Sequence, residues 1–258
     1  MADKIELLAP AGNREKAEVA IAFGADAIYV GGKAYSLRAG AGNFDLDEME
    51  SLVAYAHQRG VKVYTAVNSL MHNENLDGLP DYIRQLHELG VDAVIFSDPA
   101  VLTIARKVAP DLNLHISTQA SVTNWQAVKF WQSLGVRRAI LARELSLEEI
   151  QQIRAKVDLE LEAFVHGAMC ISYSGRCLLS NYMTGRDANQ GACAQACRWR
   201  YALVEEKRPG LYYPIEEDDK GSYILNSRDL NMLAHIPQMA NAGIGSLKIE
   251  GRMKSVYY

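Results

Sequence analysis

The sequence predicts an α/β fold, a (β/α)8 TIM-like barrel, and three observations indicate it. The chain has 258 residues, of which 49% are apolar, and this size and composition suit one barrel with a large core. Eight apolar segments of strand length alternate with helical segments, which is the order of this barrel. Glycines recur where a helical segment gives way to a strand. An open doubly wound sheet is the alternative fold with the same alternation.

The recurring glycines mark the ends of helices. Glycine accepts the left-handed backbone conformation that terminates a helix, and an apolar run of strand length follows within two residues each time. Five glycines stand in this position, namely Gly24, Gly60, Gly90, Gly135 and Gly243.

Eight strands are predicted from the N-terminus onward, each an apolar run of strand length. They are Ile5–Ala9, Ala27–Gly31, Lys62–Asn68, Ala93–Ser97, Leu112–Ser117, Ala139–Ala142, Leu159–Val165 and Ser246–Glu250.

Seven helices are predicted between these strands. They are Asn13–Phe23, Leu46–Arg59, Leu79–Leu89, Ala100–Val108, Trp125–Leu134, Leu147–Lys156 and Leu230–Ala242. Two of the starts resemble a capping box, in which a short polar side chain precedes a glutamate by three residues. These starts are Asp45 with Glu48 and Ser146 with Glu149. Few residues follow the last strand, so the eighth helix is expected to be truncated or missing.

Residues 1–258 are predicted to form one barrel domain with a long insertion. The insertion covers residues 167–227, between the seventh strand and the seventh helix, and is far longer than an ordinary connection between a strand and a helix. Long loops in compact domains are usually functional or disordered. This loop also leaves the carboxyl end of a strand, which is the end where barrel active sites lie.

The charge and hydropathy of the chain exclude some classes of protein. The net charge is −4, whereas a dedicated nucleic-acid-binding domain is usually basic, so any contact with a polyanion is expected to be local. No apolar run is long enough for a membrane span. The N-terminus lacks a signal-peptide pattern, and we therefore expect a cytoplasmic protein whose thiols stay reduced.

All four cysteines lie in the insertion, with the spacing Cys-x6-Cys-x15-Cys-x3-Cys over Cys170, Cys177, Cys193 and Cys197. Such a group indicates a shared metal or cluster, or two disulfides. Structural zinc sites usually pair cysteines as Cys-x2-Cys, and neither pair has that spacing. A cubane iron–sulfur cluster tolerates wider spacing because its iron corners are spread apart. The spacing leaves cluster and zinc both open.

Polar and cationic side chains follow the predicted strands. Arginine binds carboxylates through two parallel hydrogen bonds, so these residues suit a small anionic ligand. The candidates for substrate binding are Arg143, Lys248, Arg252, Arg38, Asn68 and Gln119. For the arginines, a salt bridge to Glu144 or Glu250 is the alternative. His166 is a candidate acid/base group, and a structural hydrogen-bond donor is its alternative role.

Peptidase signatures are missing from the sequence. There is no His-Glu-x-x-His zinc helix and no Gly-x-Ser-x-Gly nucleophile elbow. A cysteine nucleophile acting with His166 stays open, although one nucleophile does not need four clustered cysteines.

The residues around the first two cysteines resemble the signature of the collagenase-like peptidase family U32. The resembling segments are Glu162–Cys170 and Gly175–Ser180. Further similar segments extend over essentially the whole chain, namely Glu6–Gly12, Gly24–Ala27, Tyr35–Arg38, Asn124–Trp125, Lys129–Trp131, Arg143–Ser146, Gly191–Trp199 and Ser246–Arg252. Within the family, the chain is most similar to the bacterial branch that hydroxylates tRNA to 5-hydroxyuridine at the wobble position.

That resemblance implies an RNA-modifying enzyme. It implies prephenate-dependent hydroxylation of the wobble uridine, with tRNA as partner and a 4Fe-4S cluster on Cys170, Cys177, Cys193 and Cys197. Because prephenate carries two carboxylates, it would explain the cationic strand ends. Related branches hydroxylate ribosomal RNA or act in oxygen-independent ubiquinone synthesis. Members of this branch usually have a further C-terminal domain, which we expect to be absent from this chain. That domain or a partner paralogue is expected to assist tRNA binding.

Three functional hypotheses follow from the sequence. The first is the RNA-modifying hydroxylase, in which Arg143, Lys248 and Arg252 hold prephenate. The second is a U32-type peptidase, a hydrolase that acts as a collagenase-like protease. The third is a zinc-stabilised barrel that acts as a binding module.

Overall fold

A computed structural model of the chain describes residues 4–38, 41–170, 172–173, 176–199, 201–204, 206–214 and 229–258. Within these residues, eleven strands form. They are β1 Glu6–Pro10, β2 Ala27–Gly31, β3 Lys62–Val67, β4 Ala93–Phe96, β5 Leu114–Ile116, β6 Arg138–Ile140, β7 Glu160–Gly167, β8 Ala202–Leu203, β9 Tyr213–Pro214, β10 Leu230–Asn231 and β11 Ser246–Ile249.

Eight of these strands close into a parallel barrel. Strands β1 to β7 pair in chain order, β7 then pairs with β11, and β11 pairs with β1. An open sheet would leave two strand edges without a partner, whereas here every barrel strand has a neighbour on both sides. The predicted (β/α)8 barrel is therefore confirmed, and the doubly wound alternative is wrong.

Eight α-helices accompany the strands in the described part of the chain. They are α1 Arg14–Ala22, α2 Leu46–His57, α3 Leu79–Glu88, α4 Pro99–Val108, α5 Trp125–Ser133, α6 Leu147–Arg154, α7 Leu179–Thr184 and α8 Ile236–Asn241. None of the helices formed by the described residues has the length and apolar character needed to cross a bilayer.

Local sequence signals set the ends of these helices as predicted. The five glycines at the helix ends have φ between 70° and 93°, in the region that glycine adopts without steric cost. Asp45 and Ser146 each accept a hydrogen bond from the backbone of the glutamate three residues later, and each glutamate side chain bonds back. Both capping boxes are thus confirmed.

The predicted helix Leu230–Ala242 is wrong in its first half. Leu230–Asn231 instead forms β10, which pairs antiparallel with the end of β7, and α8 begins only at Ile236. Pro237 explains the difference. Proline fits the first turn of a helix, where its missing N–H is not needed, but it disrupts a helix interior.

The described part of the insertion after β7 folds back onto the barrel mouth. We call residues 168–199 the cysteine lobe, whose described residues include α7 and the 3-10 turns Ala188–Gln190 and Ala196–Arg198. A short antiparallel hairpin of β8 and β9 follows. Residues 215–227 of the predicted insertion lie outside the described residues. After β11, residues 251–258 form turns and no helix.

The barrel encloses a buried network of charged side chains. Arg138 on β6 donates hydrogen bonds to Glu6 at 2.6 Å and to Glu162 at 2.9 Å, and all three side chains are almost fully buried. Burial alone would raise the pKa of Glu6, but the hydrogen bond and charge of Arg138 outweigh it and hold that pKa below its usual value. The interior is therefore held together by ion pairs as well as by apolar packing.

His115 lies in this interior as a buried imidazole. Its ring packs edge-on against Tyr64, with 4.9 Å between the centroids, and its Nδ1 atom has no partner among the described residues. Burial holds the pKa of His115 well below 6.5, and the positive charges of Arg138, Lys248 and Lys62 add to the effect. The folded protein thus keeps this side chain neutral, whereas the unfolded chain protonates it near pH 6.5.

We expect acidification to destabilise the protein through His115. Below about pH 6.5 the unfolded state binds one proton more than the folded state, so the free energy of unfolding falls by about 1.4 kcal/mol per pH unit until the lower folded pKa is reached. Urea unfolding at a series of pH values measures this slope. The variant His115→Gln should show a smaller slope in that window. Equal slopes in both proteins would contradict the assignment.

Candidate functional site

A cavity of about 350 Å³ opens at the carboxyl ends of the barrel strands. Its walls come from the strand ends and from the cysteine lobe. All predicted substrate-binding residues and all four cysteines line it, namely Arg38, Asn68, Gln119, Arg143, Lys248, Arg252, Cys170, Cys177, Cys193 and Cys197. A volume of this size suits a small-molecule ligand. The structure therefore brings together every candidate except His166.

His166 lies outside the residues that line this cavity. Its ring packs against Tyr258, with the centroids 5.3 Å apart, and its backbone pairs with Asn231 on β10. These contacts are those of a packed side chain near the barrel rim. Its role as an acid/base group stays a prediction without a geometric argument in its favour.

Arg143 lies just after β6, and two contacts fix the position of its guanidinium. Its Nη1 atom donates a hydrogen bond to the carbonyl oxygen of Ala168 at 2.5 Å, and the guanidinium lies 4.1 Å from the centre of the Phe164 ring. Burial lowers the pKa of Arg143, whereas the charge of Glu250 works against this effect. A carboxylate ligand would compensate the desolvated guanidinium and so bind favourably.

Arg252 follows β11 and is almost completely buried. Its Nη2 atom donates to Ser36 Oγ at 2.9 Å and to the carbonyl oxygen of Leu37. Its Nη1 atom has no hydrogen-bond partner among the described residues, and burial lowers the pKa of the group to about 10. Arg252 therefore fixes the loop between β2 and α2 and still has one nitrogen without a partner there.

The loop that Arg252 fixes is strained. Tyr35, Arg38 and Asn43 all have positive φ, at 60°, 76° and 50°. Non-glycine residues in this region cost free energy and cluster at ligand sites. Arg38 reaches the cavity from this loop, and its Nη2 atom lies 3.7 Å from Glu250 Oε1. The strained loop thus sets a third arginine beside Arg143 and Arg252.

Lys248 on β11 connects the cavity to the charge network of the barrel. Its Nζ atom donates a hydrogen bond to Glu162 Oε1 at 2.8 Å and lies 4.5 Å from the centre of the Tyr29 ring. Burial lowers the pKa of Lys248, and the neighbouring Glu162 carboxylate counteracts it. The prediction named Lys248 but missed Glu162. A charged residue at an inward position of the strand, between Leu161 and Ala163, was the available signal.

Asn68 and Gln119 bind each other at the rim. Asn68 Nδ2 donates to Gln119 Oε1 at 2.7 Å, and Asn68 Oδ1 accepts from the backbone N–H of Leu37 at 3.2 Å. The backbone oxygen of Gln119 accepts a hydrogen bond from Arg176 Nε at 3.0 Å, which ties the cysteine lobe to the barrel. Both amides therefore help to position other parts of the site.

The floor of the cavity is apolar. Tyr29, Ile95, Ile140 and Phe164 belong to one cluster inside the barrel and also line the cavity. Burial raises the pKa of Tyr29, whose hydroxyl donates to the carbonyl oxygen of Ile249 at 3.0 Å. An apolar floor beneath a cationic rim suits a ligand with a hydrocarbon ring and carboxylates.

The four cysteines are unpaired thiols on the lobe side of the cavity. Backbone N–H groups donate to two of the sulfurs, from Leu179 to Cys177 Sγ at 3.3 Å and from Gln195 to Cys193 Sγ at 3.4 Å. All four thiols are therefore available as ligands on one side of the cavity.

Cys170 lies close enough to Cys177 and Cys197 for these thiols to affect its pKa. Burial raises the pKa of this thiol, a backbone hydrogen bond from Ser172 lowers it, and the nearby Cys177 and Cys197 raise it again. Among the described residues, no three His, Cys, Asp or Glu side chains surround one point closely enough to hold a metal ion. In kind and number, the donors still fit an iron–sulfur cluster, which takes four thiolates.

Comparison with known proteins gives a consistent family assignment. A model described as peptidase family U32 matches residues 12–258. The tRNA hydroxylation protein P1 of Bacillus subtilis strain 168 is 48% identical over 255 residues, covering 99% of this chain and 60% of that protein. The tRNA hydroxylation protein P of Escherichia coli K12 is 42% identical over 295 residues, covering 99% of this chain and 65% of that protein.

Two more distant relatives widen the comparison. A 23S rRNA 5-hydroxycytidine synthase of Escherichia coli K12 is 36% identical, covering 99% of this chain and 37% of that protein. A solved U32 peptidase superposes with a TM-score of 0.62 at 19% identity, covering 95% of this chain and 92% of that one. That superposition concerns the fold alone. The chain spans 60% and 65% of the two tRNA hydroxylation proteins.

Proposed function

The chain belongs to peptidase family U32, and from this premise we propose that it is an RNA-modifying hydroxylase that converts the wobble uridine of tRNA to 5-hydroxyuridine with prephenate as co-substrate. One observation carries the proposal. Cationic side chains, an apolar floor and four thiols share a single cavity at the carboxyl ends of the barrel strands. The names of the tRNA hydroxylation relatives support the same activity.

The cavity supports prephenate through its chemistry. Prephenate is a small cyclic dianion with two carboxylates, and arginine is the side chain best suited to bind a carboxylate through two N–H groups. We propose that Arg143 and Arg252 hold the carboxylates, while Lys248 contributes positive charge from β11. Phe164 and Tyr29 would contact the ring. Arg38 is close enough to Glu250 to offset its negative charge at the rim.

We propose that the four cysteines hold a 4Fe-4S cluster. Such a cluster would supply one-electron redox chemistry beside the cavity. The protein's own contribution is to desolvate the thiols and to donate backbone hydrogen bonds to their sulfurs. A zinc ion on the same cysteines is the alternative, in which the lobe only stabilises the barrel.

The target base would have to leave its stack to enter the cavity, as it does in other enzymes that modify bases.

A peptidase activity has less support from the geometry. A cysteine nucleophile needs a base within hydrogen-bond reach, and no histidine lines the cavity among the described residues. His166, the nearest candidate in sequence, packs against Tyr258 instead. In the part of the chain that the structure describes, the cavity therefore offers no cysteine–histidine pair in support of the peptidase hypothesis.

Loss of the modified nucleoside tests the proposed function. A strain without the gene should lack wobble 5-hydroxyuridine in nucleoside mass spectrometry, and the full-length gene should restore it. The variant Cys193→Ala should restore almost none, because a cubane cluster needs all four thiolates. Ser133→Ala, on the outer helix α5, is the control and should restore the nucleoside fully. Restoration by Cys193→Ala would refute the role of the cluster.

Metal content gives an independent test of the same thiols. Protein purified without oxygen should contain about four irons per chain, the content of one cubane cluster, and Cys193→Ala should lose most of that iron. One zinc per chain and no iron would favour the zinc-stabilised barrel. Cleavage of peptides by iron-free protein, abolished by blocking one cysteine, would favour the peptidase.

A further inference from the structure

The cysteine lobe is positively charged on a chain that is negative overall. Its residues 168–199 include three arginines and one aspartate, a net charge of +2, and no lysine or glutamate, whereas the whole chain carries −4. Arg176 and Arg186 are exposed and donate to backbone carbonyl oxygens of Gln119 and Ala192 at 3.0 Å. A carbonyl oxygen does not cancel the charge of an arginine, so this surface attracts anions.

The same lobe exposes aromatic side chains. Tyr182 on α7 is 89% exposed, Tyr173 is 57% exposed and Trp199 is 45% exposed. Exposed aromatic rings beside arginines are typical of surfaces that bind single-stranded nucleic acid, because any base can stack on a ring while the arginines meet the phosphates. Single-stranded loops are also the part of a folded RNA whose bases are accessible for recognition.

The lobe holds its shape through its own hydrogen bonds. Ser180 Oγ donates to the carbonyl oxygen of Arg186 at 2.8 Å and accepts from the backbone N–H of Ala194 at 2.9 Å. Tyr201 Oη donates to the carbonyl oxygen of Ala196 at 2.7 Å. These bonds tie α7 to the segment that carries Trp199. The aromatic rings therefore stand on a preformed surface.

This surface borders the cavity directly. Cys177 precedes α7 and Arg198 precedes Trp199, and both residues line the cavity wall. A nucleic acid strand that stacks on Tyr182 or Trp199 would thus run past the cavity entrance. One base of that strand would have only a short distance to move in order to enter.

We propose that the cysteine lobe is the docking surface for a single-stranded RNA loop, with Tyr182 and Trp199 as stacking platforms and Arg176 and Arg186 as phosphate contacts. This inference rests on the proposed function, because it assigns the place where the RNA substrate binds. The charge of the lobe argues for RNA over another protein surface, since an apolar protein contact would not need exposed arginines. The far side of the barrel supplies a matched control, because Phe23 at the end of α1 is 86% exposed there.

Binding of a short fluorescent RNA hairpin tests this inference without any hydroxylation assay. We expect the chain Met1–Tyr258 to bind a hairpin with a pyrimidine-rich loop more tightly than a fully paired duplex of equal length. Tyr182→Ala and Trp199→Ala should each weaken loop binding about 5- to 150-fold, the range for one lost stacking contact. Tyr182→Phe keeps the ring and Phe23→Ala lies on the opposite face, so both should bind like the unmodified chain.

Two further variants separate the contribution of charge to RNA binding from that of the aromatic ring. Arg186→Gln should weaken loop binding and reduce the slope of log affinity against log salt concentration by about 0.7, the value for one phosphate contact with a single strand. Tyr182→Leu keeps an apolar side chain but loses the ring, so it should bind as weakly as Tyr182→Ala. If Tyr182→Leu binds the loop as tightly as the unmodified chain, no base stacks on the Tyr182 ring and the inference is wrong.

The remaining outcomes distinguish this inference from the proposed function. If the unmodified chain binds the loop and both alanine variants bind equally well, the lobe is not the docking surface, while RNA hydroxylation stands. If the unmodified chain binds neither RNA, the inference is wrong, and the nucleoside measurement alone then decides the proposed function. Because all the substituted side chains are exposed, unchanged urea unfolding curves should accompany every variant.

Discussion

The variant Glu162→Ala is expected to lose about 3–5 kcal/mol of unfolding free energy, the cost of breaking a buried ion pair from one side. Glu162 is completely buried and accepts hydrogen bonds from Arg138 at 2.9 Å and from Lys248 at 2.8 Å. Its removal leaves two buried cations with too little negative charge around them. Urea unfolding at neutral pH measures the loss.

Glu160 provides the matched control for this prediction. It also pairs with Arg138, at 2.7 Å, but its side chain is 44% exposed, so Glu160→Gln should cost less than about 1 kcal/mol. The double variant Glu162→Ala with Lys248→Met should be more stable than Glu162→Ala alone, because it removes one of the uncompensated charges. Equal losses for Glu160→Gln and Glu162→Ala would contradict the buried network as a source of stability.

The variant Gly31→Ala adds only one methyl group, but we expect it to impair ligand binding in the cavity strongly. A Cβ atom at Gly31 would overlap Arg252 Nη1 and would lie 2.5 Å from Ser36 Oγ and 2.9 Å from Asn43 Oδ1. The backbone of Gly31 does not have positive φ, so the effect is steric. We expect a loss of about 1–3 kcal/mol in stability, typical of overpacking.

The activity of Gly31→Ala should fall further than its stability. Displacement of the Arg252 guanidinium by about 1 Å can cost about 100-fold in rate, and the KM for prephenate should rise because Arg252 is proposed to bind it. Gly245→Ala is the control. A Cβ atom there meets only the Glu160 side chain, at 3.2 Å or more, and this exposed side chain can move away. A normal KM in Gly31→Ala would contradict the position assigned to Arg252.

A second substitution separates the two effects of Gly31→Ala. Adding Arg252→Lys relieves the overlap, because lysine has no planar guanidinium, but it also removes the bidentate donor. Because the overlaps with Ser36 Oγ and Asn43 Oδ1 persist, stability should recover only in part, while the KM stays high. Recovery of both would mean that Arg252 only packs against Gly31.

Much of the fold followed from the sequence because its signals are local. A glycine after a helix, as at Gly24 or Gly60, a capping box at Ser146 and a strand-length apolar run all act over a few residues. The helix predicted at Leu230–Ala242 was wrong in its first half. Pro237 fixes the start of α8, and Leu230–Asn231 pairs with β7 instead. Strand β10 forms because β7 extends beyond the barrel and offers it an edge, and no pattern within residues 230–242 contains that information.

The sequence predicted which residues line the cavity, but it did not predict the hydrogen bonds that these residues form. Parallel barrel strands present their carboxyl ends at one face, so the sequence by itself determined that Arg143, Lys248, Arg252 and the cysteines would share an opening. The bonds that Lys248 forms with Glu162 and Arg252 with Ser36 join residues 86 and 216 positions apart. Only closure of the barrel brings such residues together, and only the tertiary structure decided that both cations are buried, with Lys248 in an ion pair and Arg252 hydrogen-bonded to the loop between β2 and α2. The same closure left His166 against Tyr258, because the end of β7 that carries it packs under the last turns of the chain.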